Sequence, residues 1–332
     1  MTVSKSDLKQ FRSVVVSNDA SNGGRLSTVE VSSGLAANLF APASTAEQAA
    51  GFSHYRKSYM ANHGDSAAVD ARVFIENYTP GGDEMVFFAA SQTDTQGGIT
   101  GSEDLYGCGQ LNADITAGAT SLTVSVHDWA SLPVFRNATL LRISDKADID
   151  GAGNTEFISV HASTAITAAG NVVTLPLATA LAGNYTAAST RITAVYEHGD
   201  IEALADAFVV TSTSGTYDGA TYPLSLDNAG TVEQIWTLTF SDASNFSVSG
   251  DTLGSVGSGT IGSDFAPVNS DYATPYFTLA QLGFGGTWAA GETLVFTTHP
   301  SVIPLWALRD GPAGISAQAS NNAVLALLAG SV

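Results

Sequence analysis

Between residues 119 and 197 one pattern recurs five times: a run of strand length in which apolar and hydroxyl side chains alternate, followed by a turn rich in glycine, asparagine or aspartate. The runs are ATSLTVSVH, ATLLRISD, TEFISVH, NVVTLPLA and STRITAVYE. Alternation with a period of two buries one face of a strand, whereas a helix needs a period of 3.6. Valine, isoleucine and threonine also pack well on a pleated surface. Five such runs at this spacing predict a small barrel or sandwich.

The same reading extends in both directions. YRKSYMAN (55–62), DARVFIENY (70–78) and EMVFFAAS (84–91) precede it, with TPGGD (79–83) as a turn. EQIWTLTFSD, NFSVSGD, PYFTLAQ and ETLVFTTH follow it. Near the start, RSVVV (12–16) reads as a strand and SNDASNGG (17–24) as a turn. Helices are expected at two places only. STAEQAAG (44–51) has Ser44 or Thr45 as its cap and Glu47 in its first turn, and DIEALADAF (200–208) has Asp200 as its cap. The segment 254–275 is expected to be a long loop.

The expected fold class is therefore all-β, a multi-domain β-sandwich or barrel protein with a few short helices. Residues 52–104 supply about three strands, too few for a stable sandwich of their own. The final thirty residues supply one or two more with no neighbours nearby in sequence. Pairing these ends predicts a discontinuous domain of residues 1–110 plus 299–332. A small barrel or sandwich (111–198) and a second β-rich domain (199–298) would be inserted into it.

Charge excludes several functions. The 31 acids against 12 bases give a net charge of −19, and no Lys or Arg occurs between Ile192 and Leu308. Such a surface repels phosphates, so nucleic-acid binding is not expected. No run approaches the ~18 apolar residues of a membrane span, and MTVSKSDLKQF lacks a signal-peptide core, so membrane insertion is not expected. The single Cys108 rules out an internal disulfide framework, and YGCGQ reads as a tight turn.

The motifs that carry chemistry elsewhere are incomplete here. RISDKADIDGAGNTEF (142–157) holds Asp145, Asp148, Asp150 and Glu156, the calcium candidates of the chain. An EF-hand register with Gly151 at position 6 puts Lys146 at position 1 and Phe157 at position 12. A turn between two strands is therefore the expectation, with divalent-ion binding as the alternative. GSGTIG (257–262) matches a phosphate-binding glycine pattern, but a loop and not a helix follows it. The six histidines are dispersed, without metal-ligand spacing. GGDE (81–84) and GSEDL (101–105) hold paired carboxylates with no visible partner on a facing strand. Trp288 and Trp306 sit in strand-like settings where core burial is the default. No catalytic residue, cofactor or enzymatic activity is expected.

The N-terminal half resembles structural proteins of tailed-bacteriophage virions. The resemblance rests on SDLKQF (6–11), NGGRLS (22–27), AEQAAGFSHYRKSYMAN (46–62) and ARVFIENYTPGGDE (71–84), with LWALRDGPAG (305–314) at the far end. It covers about 110 residues at the start and 30 at the end, and its motifs are loose. It implies a subunit of the tail, the baseplate or the capsid surface, located in the virion. The subunit would assemble with copies of itself and with other virion proteins, with residues 1–30 as an arm ordered by a neighbour. The competing class is a carbohydrate-binding or host-adhesion module of a tail tip.

Overall fold

The computed structural model describes residues 3–35, 37–77, 79–318 and 321–331, and almost every element in it is a strand. The first region holds β1 (Leu8–Val15), β2 (Gly23–Glu30), helix α1 (Thr45–Ala50), β3 (Phe52–Asn62), β4 (Ala68–Asn77) and β5 (Glu84–Ala89). The middle region holds β6 (Cys108–Leu111), β7 (Ser121–Ser125), β8 (Leu140–Ser144), β9 (Thr155–Ser159), β10 (Thr167–Ala169), β11 (Val172–Pro176) and β12 (Arg191–Ile201). Next come β13 (Leu204–Thr211), β14 (Thr216–Tyr217), β15 (Gln234–Phe240), β16 (Asn245–Gly250) and β17 (Gly254–Thr260). Then follow β18 (Val268–Asn269), β19 (Thr274–Pro275), β20 (Phe284–Gly285) and β21 (Thr293–His299). The chain ends on β22 (Val302–Gly311) and β23 (Val324–Ser331). The all-β expectation holds. Tyr78 of the expected strand 70–78, and Met1, Thr2, Ala319, Ser320 and Val332 of the expected discontinuous domain, lie outside the described residues.

The two ends of the chain meet in a sandwich. One sheet has the order β2-β1-β3-β22-β5, so β22 lies between two N-terminal strands. β23 pairs with β4, which pairs in turn with the second half of β12. Met60, Met85, Phe87, Ile303 and Leu305 of the first layer pack against Ala71, Val73, Ile75 and Leu327 of the second. These inward positions alternate along the strands, as a half-buried sheet requires.

β12 continues from this sandwich into a ring. Its first half pairs with β6 on one side and β8 on the other. β6 pairs with β7, β7 with β11, and β8 with β9. A bridge between Val160 and Leu177 joins the ends of β9 and β11 and closes the circuit. Leu122, Val124, Leu141, Ile143, Val173 and Ile192 belong to the core of this region. Expected cuts after residues 110 and 198 fall inside β6 and β12, so continuous strands and not linkers join the regions.

The third sheet has the order β13-β21-β15-β16-β17. Trp236, Leu238, Phe246, Leu294 and Phe296 form its inner face, covered by Phe277, Leu279, Phe284 and Trp288 from the irregular segment 262–292. Phe240 stacks on Trp288 with ring centroids 4.0 Å apart.

Four local expectations need correction. Residues 200–208 are not a helix: Ile201 ends β12 in the sandwich core, and 204–208 belong to β13. Nine residues form a marginal helix without a packing face, and β21 offers a backbone ladder instead, interrupted by one bulge between Asp206 and Val209. Asp200 accepts the backbone N–H of Asp70 at 3.1 Å, not that of a helix turn. Residues 254–260, expected in a loop, form the edge strand β17. Cys108 begins strand β6 and is buried. Residues 8–30, expected as an arm, pair within their own chain as β1 and β2.

The helix at 45–50 forms as expected. Ser44 and Glu47 cap each other reciprocally, with the Ser44 N–H donating to Glu47 Oε2 at 2.7 Å. Gly23, with φ at +110°, admits no side chain: a Cβ there would meet the Trp306 ring at 2.8 Å.

Candidate functional site

The acidic segment 142–157 is a hairpin. β8 and β9 pair antiparallel through Ser144–Thr155 and Ile143–Glu156, and the acids lie in the connection or beside it. Asp145 accepts the backbone N–H of Asn154, and Asp148 accepts that of Asp150 at 3.1 Å. Asp150 pairs with Lys5 at 2.6 Å. Glu156 turns to a different loop, accepting the N–H groups of Ala182 at 2.9 Å and Gly183 at 2.6 Å and the Tyr185 hydroxyl at 3.0 Å. The four carboxylates thus have separate partners. Among the described residues no group of three His, Cys, Asp or Glu is placed to hold a metal ion.

The other sequence candidates are also dispersed. GSGTIG runs along edge strand β17 and its turn, with no helix N-terminus to cradle a phosphate. Burial pushes the Cys108 thiol up to about 11, where it is no nucleophile at neutral pH. His54 pairs with Glu47 at 2.8 Å and His299 with Glu233 at 2.8 Å. Glu103 accepts the N–H groups of Thr100 and Gly101, while Asp104 pairs with Arg136 at 3.1 Å. Trp288 and Trp306 are each 1 % exposed. Among the described residues no helix is long and apolar enough to cross a membrane.

Sequence reasoning missed the buried charges, because each sits in an ordinary strand pattern. Lys57 on β3 is fully buried, with Nζ 2.6 Å from Asp94 and donating to the Gly24 carbonyl at 2.7 Å. Trp306 Nε1 reaches the other Asp94 oxygen at 3.0 Å, so this cluster pins the β1–β2 turn to the central strands. Arg142 lies over the Phe74 ring at 4.9 Å with Glu76 3.9 Å away, and burial raises the Glu76 carboxyl above its ordinary value. Asp83 is sealed in, accepting from Arg309 Nε at 2.6 Å and Asn321 at 2.8 Å. Burial pushes its carboxyl up, but the bonds from Asn321 and Arg309 hold it below the usual range.

Glu84 is a buried carboxyl held near neutrality. Burial pushes it up to about 7, opposed by the Asp128 N–H at 3.0 Å and reinforced by the Asp128 and Asp310 charges. It ties β5 to the loop that feeds Leu132, Val134 and Phe135 into the ring core. At 5 % exposure, this carboxyl joins two regions of the fold and meets little solvent.

Two depressions mark the surface. One, of about 490 Å³, lies between β16 and β17 and carries Asn245, Ser247, Ser258, Asp264 and Phe265. The other, of about 430 Å³, carries His63, Asp65, Glu202 and Asp227 where the sandwich meets the third sheet. Neither gathers a nucleophile with a base, and the second has carboxylates without a cation.

The surface feature that stands out is the state of the sheet edges. β2 is guarded: Arg25 pairs with Asp251 at 2.7 Å and Glu30 with Lys9 at 3.8 Å. Among the described residues β13 pairs only with β21, and Leu204, Phe208, Val209 and Val210 on it are exposed. No charged residue occurs from Ala207 to Tyr217. β23 pairs only with β4 and exposes Val324 and Leu328, and no charge follows Asp310 to the end of the sequence. The outer face beside β13 carries a row of Thr211, Thr293, Thr239, Ser247 and Ser258 across five strands, also uncharged.

Compared with protein-family models, with curated proteins and with solved structures, the chain matches none. Its own geometry must therefore carry any functional reading.

Proposed function

We propose that this chain is a non-enzymatic structural subunit of a tailed-phage virion, a tail or baseplate component or a capsid decoration protein. In the virion it assembles with copies of itself and with other virion proteins through repeated, symmetric interfaces. One observation carries the reading: among the described residues β13 and β23 end their sheets with one strand neighbour each, and β23 and the part of β13 after Asp206 expose apolar side chains without charge. A protein that works alone blunts such edges with lysine, proline or a covering loop, because an open edge recruits other chains. In a subunit built for assembly the same edge is the joint. The loose resemblance of the chain's two ends to phage virion proteins supplies the biological setting.

The test is the solution mass of the purified protein across a concentration series, with negative-stain images of the same fractions. The expected result is a fixed oligomer, ring or tube. A monomer at every concentration, with or without calcium, would refute the reading, and glycan binding by that monomer would establish the adhesion class instead.

A further inference from the structure

We infer that the joint is β13 itself: two copies of the chain pair through this strand, antiparallel about a two-fold axis, and fuse two five-stranded sheets into one of ten. The inference rests on the assembly reading above and names its partner surface.

The first argument is an unfinished core. Val210 lies opposite the buried Leu294, and the Phe208 ring stacks on Phe296 at 5.4 Å and on Tyr217 at 6.2 Å. Both side chains therefore belong to the inner layer, yet each remains 37 % exposed because nothing lies beyond the edge. A neighbouring strand would cover them. Val209, on the opposite face, is 54 % exposed.

Charge decides the occupant. A cationic partner would seek the acids of this chain, but the strand presents none after Asp206. Asp206 is turned to His299 of its own chain at 3.4 Å, and Glu292 is occupied by Ser212 and by the Thr213 N–H at 2.7 Å. The occupant must be a neutral, apolar strand, and a second β13 is one. Centring the axis on Val209 sets Val209 opposite itself and Phe208 beside Val210 of the second copy, and the bulge at Ala207, whose φ is 55°, ends the regular register there. Aromatic and β-branched side chains thus meet across the joint, and no acid faces an acid. An antiparallel ladder is the arrangement in which an edge can pair with its own copy by two-fold symmetry.

The geometry supplies its own test. Directly opposite residues in such a ladder have Cα atoms about 4.5–5.5 Å apart, within the range a disulfide spans. In the full-length chain, Val209→Cys is expected to give a covalent dimer on mild oxidation. Thr239→Cys, exposed in the middle of the same sheet, is expected to give none, and the buried Cys108 stays silent in both. Val209→Lys, at an exposed position that folding does not need, is expected to lower the solution mass at least twofold with an unchanged circular dichroism spectrum. If the wild-type chain is oligomeric but Val209→Cys does not cross-link and Val209→Lys assembles as before, the β13 joint is wrong while the assembly reading stands. If the wild-type chain is a monomer throughout, both fall.

Discussion

Replacing Glu84 by glutamine isolates one carboxyl whose proton is linked to folding. In the native protein its pKa is about 7, against 4.5 for the free side chain. Below pH 4.5 both states hold the proton, and the group contributes nothing to the pH dependence. Between 4.5 and 7 the unfolded chain releases the proton while the native chain keeps it, so stability falls as pH rises. The full loss, reached above pH 7, is about 3.4 kcal/mol, or roughly three-hundredfold in an opening equilibrium. Glu84→Gln removes the titration and keeps an oxygen that can accept the Asp128 N–H. A protein of this size need not unfold in one step, so the readout should be local. Hydrogen exchange of peptides spanning residues 84–89 and 126–135 is measured for both chains at pH 5, 6, 7 and 8. Comparing the two at each pH cancels the intrinsic exchange rate, and any fixed cost of the amide appears as a constant offset. The expected result is a protection ratio, variant over wild type, that rises by about two decades across that range. A constant ratio would show that Glu84 is ionised in the native protein at all these pH values, and the linkage would be refuted.

Two further outcomes follow from the geometry. Asp83→Ala removes the carboxylate that accepts from Arg309 and Asn321, leaving the half-buried guanidinium without its counter-charge, and should cost about 3–5 kcal/mol, seen as a lower Tm. Calcium at millimolar concentration should leave the Tm of the wild-type protein and of Asp150→Asn unchanged, since the hairpin acids have separate partners.

Strands β7, β8, β9, β11 and the first half of β12 were legible because each pairs a period of two with a nearby glycine, asparagine or aspartate turn, whereas the short β6 reads locally as a turn. The capping box at Ser44 and Glu47 was legible for the same kind of reason: its signal is local. The failures share a different cause. Residues 200–208 have helix-like composition, but an available edge on β21 decided their conformation, and no local pattern reports a partner some ninety residues away. The glycine-rich strand β17 has no apolar alternation to read; it exists because β16 supplies its ladder. Nothing local marks Lys57, Arg142 and Glu84 for burial, and only the folded chain shows the carbonyl that accepts from Lys57, the ring beneath Arg142 and the N–H that donates to Glu84. The open edges were half-visible: the sequence shows that residues 207–217 and 311–332 lack charge, but topology alone shows that two strands there have no second neighbour.

The acids of the Lys- and Arg-free region explain how such edges coexist with a net charge of −19. Several of these carboxylates hold turns. Asp242 binds the Asn245 side chain and the N–H groups of Ser244 and Asn245, each N–H at 2.8 Å, and Asp218 binds the Thr221 N–H at 2.9 Å. Glu292 binds Ser212 and the N–H groups of Thr213 and Ala289. These bonds hold all three carboxyls below their ordinary values, so their contribution is present at neutral pH and is lost as pH falls through the lowered values. Backbone N–H groups thereby take the place that lysine and arginine fill elsewhere, as they do wherever an aspartate closes its own turn. Negative charge collects at the strand connections and leaves the middle of edge strand β13 neutral. In the proposed pairing two copies approach along that strand while their charged turns stay apart. In the proposed assembly the same distribution of charge would make this strand a surface of low repulsion between copies.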